Sequence, residues 1–230
     1  MLRGVTDPLV GLPLLALAGW VVRAPLVSPE EGHEAITRAA WDGLDLTDAQ
    51  QAALICGVRA PDVSLRGLGS FALSSRQPRH ALRARPGTTT AEGIRAMRAF
   101  VADRHRWALD AADDRRRWEG FGEILHCVQD SYSPAHADRD GARILRMKHW
   151  GPFDRLRHAA RVGGLDEHGF PTDPRDVALH DGELTEAARR AVPPTRAYLE
   201  MAARAGGDDE LLAYLDAWVT GPAPPDPGSA

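Results

Sequence analysis

The sequence predicts an all-α fold, a single-domain multi-helix bundle with long loops. Apolar residues recur at i, i+3 and i+4 along most of the chain, no convincing stretch alternates with period two, and isoleucine is scarce. A length of 230 residues suits one domain with a sizeable core. With 43% hydrophobic and 26% charged residues, the chain is neither disordered nor collagen-like. A net charge of -4 excludes broad electrostatic attraction to a nucleic-acid backbone or an anionic membrane. Lys148 is the one lysine, so the arginine richness reads partly as coding bias and not as phosphate recognition. Cys56 and Cys127 are too few for a disulfide framework or a Cys₄ zinc site. One disulfide in an oxidising compartment and two buried thiols are both open readings.

Residues 1–24 hold the apolar run Pro8 to Val22, shorter than the roughly 20 residues a spanning helix needs. Arg3 before it and Ala16, Ala18 and Gly19 near its end suggest an export signal or membrane-proximal segment. Asp7 favours the other reading, an ordinary docked segment. The expected location is therefore exported or membrane-associated. Residues 25–221 form the helical domain, and 222–230 a frayed tail.

Within the domain, a helix opens at Gly32 with Ile36, Ala39, Ala40 and Leu44 on one face. Thr47 or Asp48 caps a second helix that ends near Gly57. From about Arg59 to Gly87 there is no period, only Gly, Pro, Ser and Arg, and loops this long usually carry function. Thr90 caps a helix with Ile94, Met97, Phe100, Val101 and Ala108 inward. Another starts near Arg117 with Phe121, Ile124, Leu125 and Val128 inward, and the pattern resumes through Ile144, Leu145 and Trp150. Val162 to Asp181 reads as a second loop. Two further helices are expected, Glu183 to Ala203, interrupted at Pro193-Pro194, and Asp208 to Thr220.

Chemistry concentrates in Leu125-His126-Cys127-Val128-Gln129-Asp130-Ser131-Tyr132-Ser133-Pro134-Ala135-His136. His126 and Asp130 are four apart and project from one helix face. His136 would lie about 80° away on an unbroken helix. Pro134 interrupts the backbone ladder and can bring it round. Imidazole and carboxylate are the ligand types zinc accepts where cysteine is absent. A His and an Asp at this spacing are also a common helix-face pair, so the segment alone leaves both readings open.

This segment resembles the His-x₃-Asp-x₅-His helix of the zinc-dependent phospholipase C and single-strand-specific nuclease superfamily, an all-α family with three zinc ions in a cleft. The resemblance implies further ligands in a set order over about half the chain. A His ahead of a helix matches His33, an Asp in a Pro-Asp loop matches Pro61-Asp62, and a His in the same loop matches His80. His149 follows His136 by thirteen residues, but position 153 is Phe153, which makes Asp154 the last carboxylate. The family pattern then implies one zinc on Asp62, His80, His126 and Asp130, a second on His136, His149 and Asp154, and a third on His33 and the other oxygen of Asp130. Trp20, if exposed by cleavage after Gly19, would complete the third. The implied activity is phosphodiester hydrolysis of a phospholipid or other small phosphodiester by metal-bound hydroxide, with Asp62 as metal ligand or base. The alternatives are a single-strand nuclease or nucleotidase using the same metals, and a non-catalytic metal-binding helical domain. No stable protein partner is implied.

The other histidines have ordinary readings. His105 sits among charges and is expected to be solvated, His158 and His168 lie at the surface, and His180 opens the following helix. Arg115-Arg116-Arg117 reads as a solvated face. Trp41, Trp107, Trp118, Trp150 and Trp218 read as packing residues.

Overall fold

Several helix starts in this chain are set by side chains that accept the unpaired N–H groups of the first turn. The computed structural model describes residues 32–63, 74–85, 87–149, 178–180 and 183–221, apart from the side chains of 62, 63, 74–76 and 180. In order it forms α1 (Gly32–Trp41), α2 (Asp48–Val63), a 3₁₀ turn (Ser74–His80), α3 (Thr90–Leu109) and α4 (Asp114–Asp130). The strands β1 (Ala137–Asp140), β2 (Arg143–Met147), β3 (Leu179–His180) and β4 (Glu183–Leu184) follow. Helices α5 (Glu186–Ala203) and α6 (Asp208–Tyr214) close the fold, and α6 runs into a π-helical turn, Leu215–Val219. Thr89 caps α3 in a capping box with Glu92, Asp113 caps α4 through Arg116 N–H, and Thr185 caps α5 through Ala188 N–H.

The chain is mostly helical, as the periodicity predicts, and several expectations need correction. The stretch after His136 is an antiparallel hairpin, not a helix, with Ala137 paired to Met147 and Asp140 to Arg143. Its two-residue turn places Gly141 at φ 55°, a conformation tight hairpin turns ask of glycine. A bulge between Asp138 and Arg139 breaks the alternation, leaving Ile144 and Met147 buried and Leu145 exposed. Helix α2 continues past Gly57 to Val63, so Pro61-Asp62 lies in a helix and not in a loop. Pro61 comes in the last turn, where its missing N–H removes a single ladder bond. Helix α5 starts three residues later than expected, behind β4, and is not interrupted at Pro193-Pro194. His180 belongs to β3 rather than to a helix start, and Cys56 is exposed, so only Cys127 is a buried thiol. Trp150 and the run Pro8 to Val22 lie outside the described residues. No helix among the described residues is long and apolar enough to cross a membrane.

The core gathers around α4. Leu54 and Val58 of α2, Met97 and Val101 of α3, Phe121, Leu125 and Val128 of α4, and Tyr198 and Leu199 of α5 are fully buried together. Each large apolar side chain removed from water contributes about 1.5–3 kcal/mol. Helices α2 and α4 approach to backbone contact. A Cβ on Gly122 would strike the Leu54 carbonyl and lie 2.7 Å from the Val58 nitrogen, and one on Gly57 would strike the Glu119 carbonyl. Glycine at both positions lets the helices close, bringing the Val58 carbonyl onto α4. On the other side, Ile36 of α1 packs with Ala188 and Ala191 of α5. Arg139 joins the C-terminal end of α4 to the π-helical turn. It donates to the carbonyls of Ser131 at 3.2 Å and Val219 at 2.8 Å, and its guanidinium lies 3.9 Å over the Tyr132 ring.

Candidate metal centre

Four histidines converge on Asp130, the last residue of α4. His126 sits one turn before it on the same helix, and its Nε2 is 3.0 Å from Asp130 Oδ2. His80 arrives on the end of the 3₁₀ turn, Nδ1 3.1 Å from the same oxygen. His33, at the start of α1, places Nε2 3.2 Å from the other oxygen, Oδ1. His136, carried round by the turns that follow Ser131, lies 3.8 Å from Oδ1. His80, His126, His136 and Asp130 are buried, and His33 is half-buried.

The backbone fixes which ring nitrogens point inward. His126 Nδ1 is 2.9 Å from the Val58 carbonyl, and His136 Nδ1 is 2.6 Å from the His80 carbonyl. A carbonyl can only accept, so each Nδ1 carries a proton and leaves Nε2 as the nitrogen turned toward Asp130. Ligating histidines are typically oriented by such outer hydrogen bonds. His80 itself is held where the 3₁₀ turn ends on Ala81, a non-glycine residue at φ 49°, with Leu82 N–H closing on the Gln77 carbonyl. The Cys127 thiol donates to the Pro78 carbonyl at 3.2 Å, tying the same turn to α4. Burial, with Asp130 nearby, pushes that thiol's pKa up and keeps it protonated.

The donor set suits a cation. Asp130 Oδ2, His126 Nε2 and His80 Nδ1 lie 3.0–3.1 Å from one another, an equilateral triangle. Ligands at 2.0–2.1 Å around a tetrahedral zinc stand roughly 3.3 Å apart, so this is nearly one face of such a site. His33, His126 and Asp130 form a group whose ligand atoms all lie within 4.8 Å, and it could hold a metal ion. The two sets share His126 and Asp130, whose Oδ1 faces His33 and whose Oδ2 faces His126 and His80. Burial pushes the Asp130 carboxyl upward, yet His126 and His136 nearby and hydrogen bonds from His126 and His33 hold it well below the usual carboxylate range. It is an anion at neutral pH, placed at a helix C-terminus whose own partial charge is negative and where a cation is favoured.

The hairpin accounts for His149. Ala137 pairs with Met147, and Lys148 N–H donates to the His136 carbonyl, so thirteen residues of sequence return His149 to the neighbourhood of His136. His149 Nδ1 lies 3.0 Å from the Arg83 carbonyl, three residues beyond the carbonyl that holds His136. Asp62 lies in the last turn of α2, one turn after Val58. Its side chain, Trp20 and Asp154 fall outside the described residues, as do His158 and His168.

His105 corrects the sequence reading. It is fully buried, not solvated, with Nδ1 2.9 Å from the Tyr198 hydroxyl and Nε2 2.8 Å from the Gly206 carbonyl. Gln129, which the sequence reading passed over, is 2.9 Å from His33 Nδ1 and bonds the hydroxyls of Thr37 and Thr195. Arg115 and Arg116 are exposed as expected. Of the described tryptophans, Trp118 is buried, Trp41 packs on the core, and Trp107 and Trp218 are partly exposed, at 43% and 39%.

No protein-family model matches the chain, and no curated protein or solved structure is significantly similar to it.

Proposed function

We propose that the chain is a zinc-dependent phosphodiester hydrolase of the phospholipase C kind. The observation that carries this is the convergence at the centre: nitrogens of His33, His126 and His136 all face the ionised oxygens of Asp130. Such a set is closed by positive charge, either protons on the rings or metal ions. In the assignment the family resemblance implies, His80, His126, Asp62 and one oxygen of Asp130 hold one ion. His33 and the other oxygen hold a second, and His136, His149 and Asp154 a third. Bound zinc would supply charge to an anionic phosphodiester and bring a water's proton loss toward neutral pH.

The chain's own residues would bind, orient and exclude. The carbonyls of Val58, His80 and Arg83 fix three imidazoles, and the packed α2–α4 contact shields the inner end of the site from bulk water. Asp130 stays ionised and divides its oxygens between neighbouring ligand sets. Asp62 would complete the first ion's shell or take the attacking water's proton.

Purified protein loaded with zinc should release a phosphorylated head group from phosphatidylcholine, and a chelator should stop it. Cleavage of single-stranded DNA or a nucleoside monophosphate instead would move the assignment to the nuclease side of the resemblance. Tightly held zinc with none of these hydrolysed would make the centre structural, and no zinc uptake would end the proposal.

A further inference from the structure

We infer that Gln129 is a positioning residue of this centre, setting the tautomer of His33 and joining α5 to the site through Thr195. The Thr37 hydroxyl donates its single proton to the His33 carbonyl at 2.8 Å, and that of Thr195 goes to the Ala191 carbonyl at 2.7 Å. Both oxygens can then only accept, and the Gln129 amide nitrogen donates to them at 2.9 and 3.4 Å. The amide is thereby oriented, turning its oxygen to His33 Nδ1 at 2.9 Å. An amide oxygen accepts, so Nδ1 carries a proton and Nε2 is the nitrogen left to a metal ion beside Asp130 Oδ1, 3.2 Å away. Thr37, Thr195 and Gln129 are all buried, so water does not compete for these bonds.

His33 differs here from its neighbours. His126 and His136 are oriented by backbone carbonyls, whereas His33 is oriented by a side chain that can be replaced. With the amide oxygen gone, a neutral His33 gains by moving its proton to Nε2 and donating to Asp130, which blocks the coordinating lone pair. The metal consequence rests on the hydrolase reading proposed above; the tautomer does not.

The test pairs two measurements. Ring nitrogen NMR of the metal-free protein should show a proton on His33 Nδ1 in the wild type and, in Gln129→Leu, that proton lost and Nε2 alone protonated. Zinc titration followed by elemental analysis should show Gln129→Leu losing affinity by about 10–100-fold for the ion on His33 while the others stay bound. Gln129→Glu keeps an acceptor for Nδ1 but no donor for Thr37 and Thr195, so it should keep the Nδ1 proton and lose less zinc affinity than Gln129→Leu. If Gln129→Leu does not fold, the wild-type spectrum and Thr195→Val, with a smaller loss of zinc affinity, carry the test. A wild-type His33 with no proton on Nδ1, or a Gln129→Leu protein with unchanged zinc binding, overturns the inference. A wild type that binds no zinc overturns the hydrolase reading instead, and the spectrum still decides the role of Gln129.

Discussion

His105 and His126 are both fully buried histidines on adjacent helices, and they solve opposite problems. At His105 one nitrogen meets a hydroxyl and the other a carbonyl, so a neutral imidazole satisfies donor and acceptor at once. Burial pushes its pKa down, against the pull of the Gly206 carbonyl, which keeps the ring neutral. At His126 the outer nitrogen is equally well held by Val58, but the inner one faces a carboxylate oxygen and a second imidazole. A neutral ring does not close that circuit. Burial of a histidine therefore says little about its role; the charge of what it faces separates a core residue from a ligand.

The sharpest way to break this contrast is to remove the charge that His126 faces. Asp130→Asn should lose the zinc held through its oxygens and lower any phosphodiester hydrolysis by at least roughly a thousandfold, the several kcal/mol that metal charge supplies at a transition state. Full zinc content by elemental analysis in that variant would erase the distinction drawn between the two sites. Gly122→Ala should act on His126 through packing. Its methyl group meets the α2 backbone, costing about 1–3 kcal/mol in denaturant unfolding and weakening zinc binding as the Val58 carbonyl moves away.

The same operation on the other site should leave the metal alone. His105→Leu strands the Tyr198 hydroxyl and the Gly206 carbonyl, which predicts a loss of about 1–3 kcal/mol with zinc stoichiometry unchanged. The smallest effect is in pH. Because the folded pKa of His105 is depressed, its contribution is intact above the unfolded value near ~6.5 and is lost as pH falls from there toward the folded value. In chelator, the stability advantage of wild type over His105→Leu should shrink below that pH by up to about 1.4 kcal/mol per unit. An advantage that grows on acidification would give His105 a charged partner and undo the comparison.

What could be read from the sequence follows the range of the interactions. His126 and Asp130 are one helical turn apart, and Pro134 marks the break that lets His136 return, so local spacing sufficed. His105 was legible too: it lies four residues after Val101 and three before Ala108, on the buried stripe of α3, but its charged neighbours Arg104 and Arg106 masked the period. The hairpin announced itself in Asp140-Gly141, yet Ile144 and Leu145 read as a helical face because the bulge spoils the two-residue alternation. Gln129 carried no local sign. Its partners Thr37 and Thr195 lie 92 and 66 residues away, and only the folded chain brings them to it. Pro193 and Pro194 misled for a related reason: burial of Pro194, Thr195 and Tyr198 in α5, with the Tyr214 hydroxyl 3.0 Å from the Pro194 carbonyl, outweighs the local preference to break.

The central claim is that Asp130 and the imidazoles around it hold metal. Anomalous diffraction at the zinc edge, from crystals of zinc-loaded protein, tests it most directly. The account predicts a peak about 2.0–2.2 Å from both His126 Nε2 and an oxygen of Asp130. A map with no peak there, the rings and carboxylate bridged by protons alone, would contradict it.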